Sequence, residues 1–197
     1  MTVSLRERRR QQTARDIQLA TLKLAVERGL ENVTTEEIAA SAGVSTRTFF
    51  NYYVNKETAA IGAPPAFRKE DKNALCDGTG ALRNDLKRFL HRHMENLTKD
   101  EPILRMIGTV LRSNEKARGI LEGFIIMERD ELTEHLCRRV QNRQVAAALA
   151  SSATDAIART IHLWEQEKNL TLGAALDMVW DGLIESSHLL ASTSKDA

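Results

Sequence analysis

Side chains that form hydrogen bonds with nucleic acids are concentrated in one short segment of the chain. Five residues are of types that read base edges or hold phosphate groups: Thr46, Arg47, Thr48, Asn51 and Tyr52. Ser45 is a suitable N-cap for a helix that runs from Thr46 to about Tyr53. Such a helix would expose these five side chains, so the segment predicts a surface for contact with nucleic acid.

The residues around this segment fit the two elements that must position it. Two helices that cross steeply around a short turn need a small residue at their closest approach, and a turn residue that tolerates positive φ. Ala39 meets the first need, and Gly43 meets the second. Apolar anchors fall at compatible spacings: Ile38, Ala42, Val44 and Phe49. The pattern predicts a helix-turn-helix over residues 35–54; the alternative is an ordinary helical hairpin within a bundle.

The stretch GVSTRTFFNYYVNKE, and more widely the region from Ala14 to Thr58, resembles the N-terminal domain of the TetR (tetracycline repressor) family of transcriptional regulators. The resemblance implies a homodimer whose two recognition helices enter successive major grooves of a palindromic double-stranded DNA operator. It also implies a C-terminal pocket in which a small-molecule effector alters the spacing of these helices. STRTFFNYY and the loop APPAF are similar to the subgroup that senses apolar or acyl-CoA-like ligands.

The same resemblance assigns roles to single positions. Thr46, Arg47 and Asn51 match positions that face bases, where arginine suits O6 and N7 of guanine and asparagine suits N6 and N7 of adenine. The positions that match phosphate contacts are Thr35, Ser45, Thr48, Tyr52 and Lys56. Phe49 and Tyr53 are interpreted as packing residues. Phe50 stands where many relatives have a tyrosine, so a hydrogen bond to phosphate is missing there.

The charge of the chain is balanced overall but uneven along its length. There are 28 Lys and Arg against 27 Asp and Glu, which argues against a protein that coats polyanions generally. Residues 6–15 hold five Arg and one Glu, so the contact with nucleic acid is expected to be local. Two interpretations of this run stay open: an arm that enters the minor groove, or a disordered solubilising tail.

The predicted fold class is all-α, because helix-forming stretches dominate and no strand alternation is found. A three-helix helix-turn-helix domain is expected over residues 1–62, with its first helix near 11–28, and a helical ligand-binding and dimerisation domain over 63–197. Residues 62–80, which contain turn formers and charges, are interpreted as the junction. Five further helices are predicted near 81–97, 102–112, 116–141, 143–168 and 171–192.

Several function classes are excluded by what the sequence lacks. No apolar run is long enough for a membrane span and nothing resembles a secretory signal, so a cytoplasmic protein with no membrane partner is expected. Cys76 and Cys137 form no ligand or redox motif and are expected to be free thiols. His91 and His93 point in different directions on a helix. No catalytic motif, metal site or cofactor is therefore expected.

Polar residues within apolar stripes are the candidates for binding the small molecule. His93 falls in the stripe of the helix near 81–97 and Glu128 in that of the helix near 116–141, and each must find a partner or a ligand. The full candidate set is Phe89, His93, Met94, Met106, Phe124, Met127 and Glu128. The alternatives are internally satisfied polar groups and apolar residues that belong simply to the core.

The last two predicted helices are apolar on more than one side, so each needs more than one neighbour. Pairing with symmetry mates would give a four-helix dimer interface, and burial within one subunit is the alternative. The leading hypothesis is a ligand-responsive, homodimeric repressor. Its rivals are a helical small-molecule-binding or catalytic protein with a purely structural helix-turn-helix, and an architectural DNA binder without an effector.

Overall fold

The computed structural model describes residues 4–192 of the chain. These residues form ten α-helices and no strand, which confirms the all-α prediction. The helices are α1 (Leu5–Arg28), α2 (Thr35–Ser41), α3 (Thr46–Tyr52), α4 (Lys56–Ile61), α5 (Lys69–Asp77), α6 (Leu82–Thr98), α7 (Glu101–Ser113), α8 (Glu115–Leu136), α9 (Arg143–Gln166) and α10 (Leu172–Ala191). Of the helices in this range, none is both long and apolar enough to cross a bilayer.

The chain packs as two compact units. The first unit contains the described residues through Pro64 together with Asp100–Phe124, and the second contains Pro65–Lys99 together with the residues from Ile125 onwards. These units differ from the expected domains of residues 1–62 and 63–197, which stay a prediction. The sequence pattern did not indicate that α7 and the first part of α8 pack with the N-terminal helices.

Helix α1 is the centre of the first unit, because two apolar clusters form on it. In one cluster, Ile17 and Ala20 pack with Ile38, Phe49 and Ala59 from α2, α3 and α4. Burying an aromatic or aliphatic side chain of this size contributes roughly 1.5–3 kcal/mol. The helix-turn-helix is therefore held to α1 by its own apolar anchors.

The second cluster of this unit joins α1 and α4 to α7. Leu22 and Ala25 pack with Ile61, Ile103 and Val110. Helix α4 ends at Gly62 (φ +68°), where Gln18 Nε2 donates a hydrogen bond to the carbonyl of Ile61 at 2.9 Å. Helix α4 therefore ends where the turn formers of residues 62–80 begin.

Helix α1 begins earlier than the sequence pattern predicted. Ser4 is its N-cap, with Oγ accepting a hydrogen bond from the amide of Glu7 at 3.2 Å. The arginines that follow are good helix formers, so the helix includes the whole arginine run. The interpretation of that run as a disordered tail is therefore wrong for residues 5–10, which are helical, whereas its entry into the minor groove stays a prediction.

The second unit is built on packing among α6, α9 and α10. Helix α6 buries Leu86, Leu90 and Met94, and α10 buries Leu176 and Trp180. The buried residues of α9 include small alanines that permit close approach: Ala146, Ala150, Ala153 and Ala156. Cys76 and Cys137, also in this unit, are free thiols as expected.

Helix α5 was not predicted, because its segment was interpreted as a junction. Leu75 and Cys76 give it a buried apolar edge. Asp71 and Lys72 are also buried and form ion pairs with Arg92 and Glu131. These partners lie far away in sequence, so the local composition indicated only charges and turn formers and did not predict a helix.

Candidate nucleic-acid interface

The first helix of the helix-turn-helix starts at a capping box. Thr34 accepts a hydrogen bond from the amide of Glu37 at 3.2 Å, and the Glu37 carboxylate accepts one from the amide of Thr34 at 2.9 Å. The hydrogen bonds that the Glu37 carboxylate accepts from the Thr34 amide, the Arg28 guanidinium and the Thr34 hydroxyl hold the pKa of Glu37 below its usual value. The start of α2 is therefore fixed by residues that are themselves close in sequence.

The turn that follows has the geometry that the sequence predicted. Gly43 adopts φ +68°, a conformation that residues with a β-carbon rarely adopt. The amide of Val44 donates a hydrogen bond to the carbonyl of Ala39 at 2.9 Å, which closes the turn. Ala39 is 1% exposed, so its small side chain lies where the helices meet. The turn thus joins α2 to α3 within four residues.

Helix α3 is anchored at both ends. At its start, Ser45 Oγ accepts a hydrogen bond from the amide of Thr48 at 3.1 Å. Phe49 is fully buried, and the Tyr53 hydroxyl donates a hydrogen bond to the carbonyl of Ala14 in α1 at 3.1 Å. Burial also raises the pKa of Tyr53. Phe49 and Tyr53 are thus packing residues, as predicted.

The outward face of α3 presents the proposed base-reading side chains. Arg47 and Asn51 are exposed and lie four residues apart on one face, while Thr46 is half-buried at the start of the helix. Neither Arg47 nor Asn51 forms an ion pair or a side-chain hydrogen bond within residues 4–192. Their donors and acceptors are therefore available to a partner.

One apolar residue shares this face, and the sequence analysis treated it only as a missing hydrogen-bond donor. Phe50 is 53% exposed and follows Arg47 by three residues, a spacing that places two side chains on one helix face. Val54 is 76% exposed and lies just past the end of α3. An exposed phenylalanine beside arginine and asparagine can contact the methyl group of thymine.

The expected phosphate-binding residues surround this face, and several have internal partners. Ser45 and Thr48 share a hydrogen bond of 2.8 Å between their hydroxyls, and Thr35 Oγ1 donates one to Glu36 at 3.2 Å. Tyr52 is half-buried against the cluster around Phe49. Hydroxyl oxygens keep further bonding capacity, so these contacts leave room for phosphate.

Lys56 has a structural role that the sequence did not indicate. Its ammonium group donates hydrogen bonds of 2.9 Å to the carbonyls of both Glu31 and Val33. Two of its three protons are thereby used to tie the loop before α2 to the start of α4. One proton remains for a phosphate, and the expected phosphate contact stays a prediction.

Two of the proposed ligand residues meet in a shallow niche of the second unit. Phe89 and His93 line it with Phe67, and the Phe67 ring lies 4.8 Å from each of their rings. Burial lowers the pKa of His93 to about 4. The other lining residues are polar: Arg68, Asp71, Arg92 and Asn96. The niche has no enclosed space for even a water molecule.

The remaining ligand candidates lie elsewhere. Met94 is 1% exposed in the core, and Glu128 accepts a hydrogen bond from the amide of Phe67 at 2.8 Å. Met127 is 71% exposed on the surface of α8. Met106 packs on the cluster around Leu22, and it and Phe124 belong to the first unit. The structure therefore does not gather the seven residues into one site within either unit.

Comparisons with known proteins agree with this architecture. Residues 17–58 match the model of bacterial regulatory proteins of the tetR family. The transcriptional regulator TcmR of Streptomyces glaucescens is 27% identical over 150 residues, which are 71% of this chain and only 64% of TcmR.

Solved structures share the fold over most of the chain. A protein from Syntrophomonas wolfei described as a TetR-family transcriptional regulator superposes with a TM-score of 0.60 and 17% identity, over 95% of this chain and 100% of the other. FadR of Thermus thermophilus, a repressor solved in complex with lauroyl-CoA, superposes with a TM-score of 0.52 and 20% identity, over 93% of this chain and 97% of FadR.

Proposed function

We propose that this chain, whose residues 17–58 match the model of bacterial regulatory proteins of the tetR family, is a ligand-responsive repressor that binds a palindromic operator as a homodimer. Regulation is achieved by binding and release rather than by catalysis. Repression comes from occupying promoter DNA in the cytoplasm. The protein is released from DNA when an effector binds more tightly to the form that cannot span both half-sites than to the DNA-binding form. Such a difference in affinity is needed because only differential affinity shifts an equilibrium.

The observation that carries this proposal is the outward face of α3. Arg47 and Asn51 are exposed and unpaired among the described residues, on a helix whose other side is fixed by the buried Phe49. Arginine and asparagine with free donors and acceptors are the pair that reads guanine and adenine in the major groove.

Replacing Arg47 with alanine tests the reading role. We expect the affinity for the operator, obtained by selection from random duplexes, to fall by about 1–3 kcal/mol per half-site, with relaxed preference at one base pair of each half-site. Affinity for random DNA should fall much less. The matched control is Arg83→Ala, which removes an exposed arginine from α6 and should leave both affinities unchanged. Equal losses on operator and random DNA would show that Arg47 reads no base.

The homodimer is proposed to form through α9 and α10. Met178 and Leu189 are 59% and 70% exposed, and their spacing of eleven residues places them on one face of α10. Gly182 lies on the same face with open space where a side chain would be, so another helix could approach closely. Val145 adds exposed apolar surface on α9. In a symmetric dimer, the same residues of the second chain would pack against these groups and cover them.

The double variant Met178→Glu/Leu189→Glu tests this interface. We expect the wild-type chain to sediment as a dimer and the variant as a monomer with unchanged helix content, because four carboxylates would meet in the interface. The variant should also lose most of its operator affinity, since one half-site remains per chain. A variant that stays dimeric would place the interface elsewhere.

The effector is proposed to be an anionic molecule with an apolar chain. FadR, which shares the fold, was solved with lauroyl-CoA. In this chain, Arg68 and Arg92 lie beside Phe67 and Phe89 in the niche, which offers cationic and aromatic groups together. Lauroyl-CoA should weaken operator binding, whereas free CoA at the same concentration should not. Equal effects of both, or none, would reject this ligand class without affecting the proposed DNA binding.

A further inference from the structure

The first turns of α1 extend past the packed part of the first unit. Residues 4–12 are exposed, and the first fully buried residue of the helix is Ile17. The hydrogen bond from Tyr53 to the carbonyl of Ala14 marks where the end of α3 lies against α1. Residues 5–13 therefore form a rod of about 13 Å that starts beside the end of α3.

This rod carries a concentrated positive charge without internal compensation. Arg6, Arg8, Arg9 and Arg10 form no ion pair within the described residues, and Glu7 is the one acidic residue among positions 5–13. Arg15 differs, because it pairs with Asp100. Like charges three and four residues apart destabilise a helix, so the free protein keeps an unfavourable arrangement that bound anions would relieve.

The arginines are not equivalent, because the helix divides them between opposite faces. Arg6 and Arg10 precede Ile17 by eleven and seven residues, which are about three and two turns. They continue the face that packs against the helix-turn-helix through Ile17 and Phe49. Arg8 precedes Ile17 by nine residues, or about two and a half turns, so it points to the opposite side.

We propose that Arg6 and Arg10 bind phosphates of the DNA that flanks the bases read by α3, which makes the start of α1 a second, sequence-independent part of the interface. This inference rests on the proposed function. A helix with side chains is about 10 Å wide and the minor groove only about 6 Å, so a helical rod meets the backbone rather than the groove floor. Guanidinium groups bind phosphate with two parallel hydrogen bonds.

The test is the salt dependence of operator binding by two variants of the full-length chain. Arg6→Ala/Arg10→Ala should make the slope of log K against log salt shallower by about 3.6, because the dimer loses four phosphate contacts and each contributes about 0.9. Arg8→Ala is the matched control, with the same kind of change on the opposite face, and should leave the slope unchanged. The ratio of operator to random affinity should stay constant in both variants.

Alanine favours helix, so the variants should keep the helix content of the wild type. The proposal would be overturned if the salt slope of the double variant equalled that of the wild-type protein. It would also be overturned if Arg8→Ala reduced the slope by as much per arginine as the double variant does. Either result would leave the proposed function standing. A fall in the operator-to-random ratio would also overturn it, since phosphates carry no sequence information. If the wild-type protein itself showed no salt-dependent preference for any DNA, both the proposed function and this inference would fail.

Discussion

Replacing Phe49 with alanine is expected to lower the free energy of unfolding of the first unit by about 3–5 kcal/mol. Phe49 is fully buried among Ile17, Ile38 and Ala59, and its removal leaves a cavity where α1, α2 and α4 meet. Capping boxes at Thr34 and Asn55 fix the starts of α2 and α4, which limits how far these helices can move into the cavity. Chemical denaturation followed by circular dichroism measures the loss.

The neighbouring phenylalanine is the control for this prediction. Phe50 lies in the same helix but is half exposed, and it touches Phe49 edge-on with ring centroids 5.2 Å apart. Phe50→Ala should therefore destabilise by no more than about 1.5 kcal/mol, the scale of one aromatic pair. Equal losses from the two substitutions would mean that α3 is not anchored by Phe49 in the way described.

The second large effect is a loss of stability in mild acid that comes from His93. Burial holds its folded pKa at about 4, below the ordinary value of 6.5, while Asp71 raises it and Arg68 lowers it to a lesser extent. The unfolded chain therefore binds a proton between pH 6.5 and 4 that the folded chain does not, and stability falls as the pH falls through that window. The full difference is about 3 kcal/mol.

His93→Gln isolates this contribution, because glutamine keeps a polar side chain of similar size that does not titrate. The free energy of unfolding of the variant should change little between pH 6.5 and about pH 4.5. Carboxylates with lowered pKa, such as Glu131 and Asp177, lose their stabilising pairs at still lower pH and so do not mask the comparison. A wild-type pH dependence in the variant would assign the loss to other groups.

The helix-turn-helix could be predicted from sequence because its determinants are local. Ala39, Gly43 and Ser45 specify the contact, the turn and the cap within seven residues, and each does in the structure what its type suggested. Glycine, alanine and serine are constrained here by backbone geometry rather than by distant partners. The all-α fold class could be predicted from the sequence for the same reason, because helical periodicity is a local property.

The features that the sequence did not indicate depend on partners that are distant in sequence. Met106 was a candidate for the ligand site, with the core as the alternative, and the sequence did not indicate that it would pack on the cluster around Leu22 of α1. Periodicity marked Glu128 as a polar residue on an apolar face, but not that the Phe67 amide would satisfy it. The position of Lys56 suggested phosphate, and only the structure revealed the carbonyls of Glu31 and Val33.

The central claim, sequence-specific DNA binding through α3, is tested most directly by selection from random duplexes with the wild-type protein. The enriched sequence and a scrambled duplex of the same composition are then titrated at two salt concentrations. We expect a palindrome to be enriched, and its affinity to fall steeply between about 50 and about 200 mM salt while staying well above that of the scrambled duplex. Failure to enrich any sequence, with equal weak binding to both duplexes, would contradict the account.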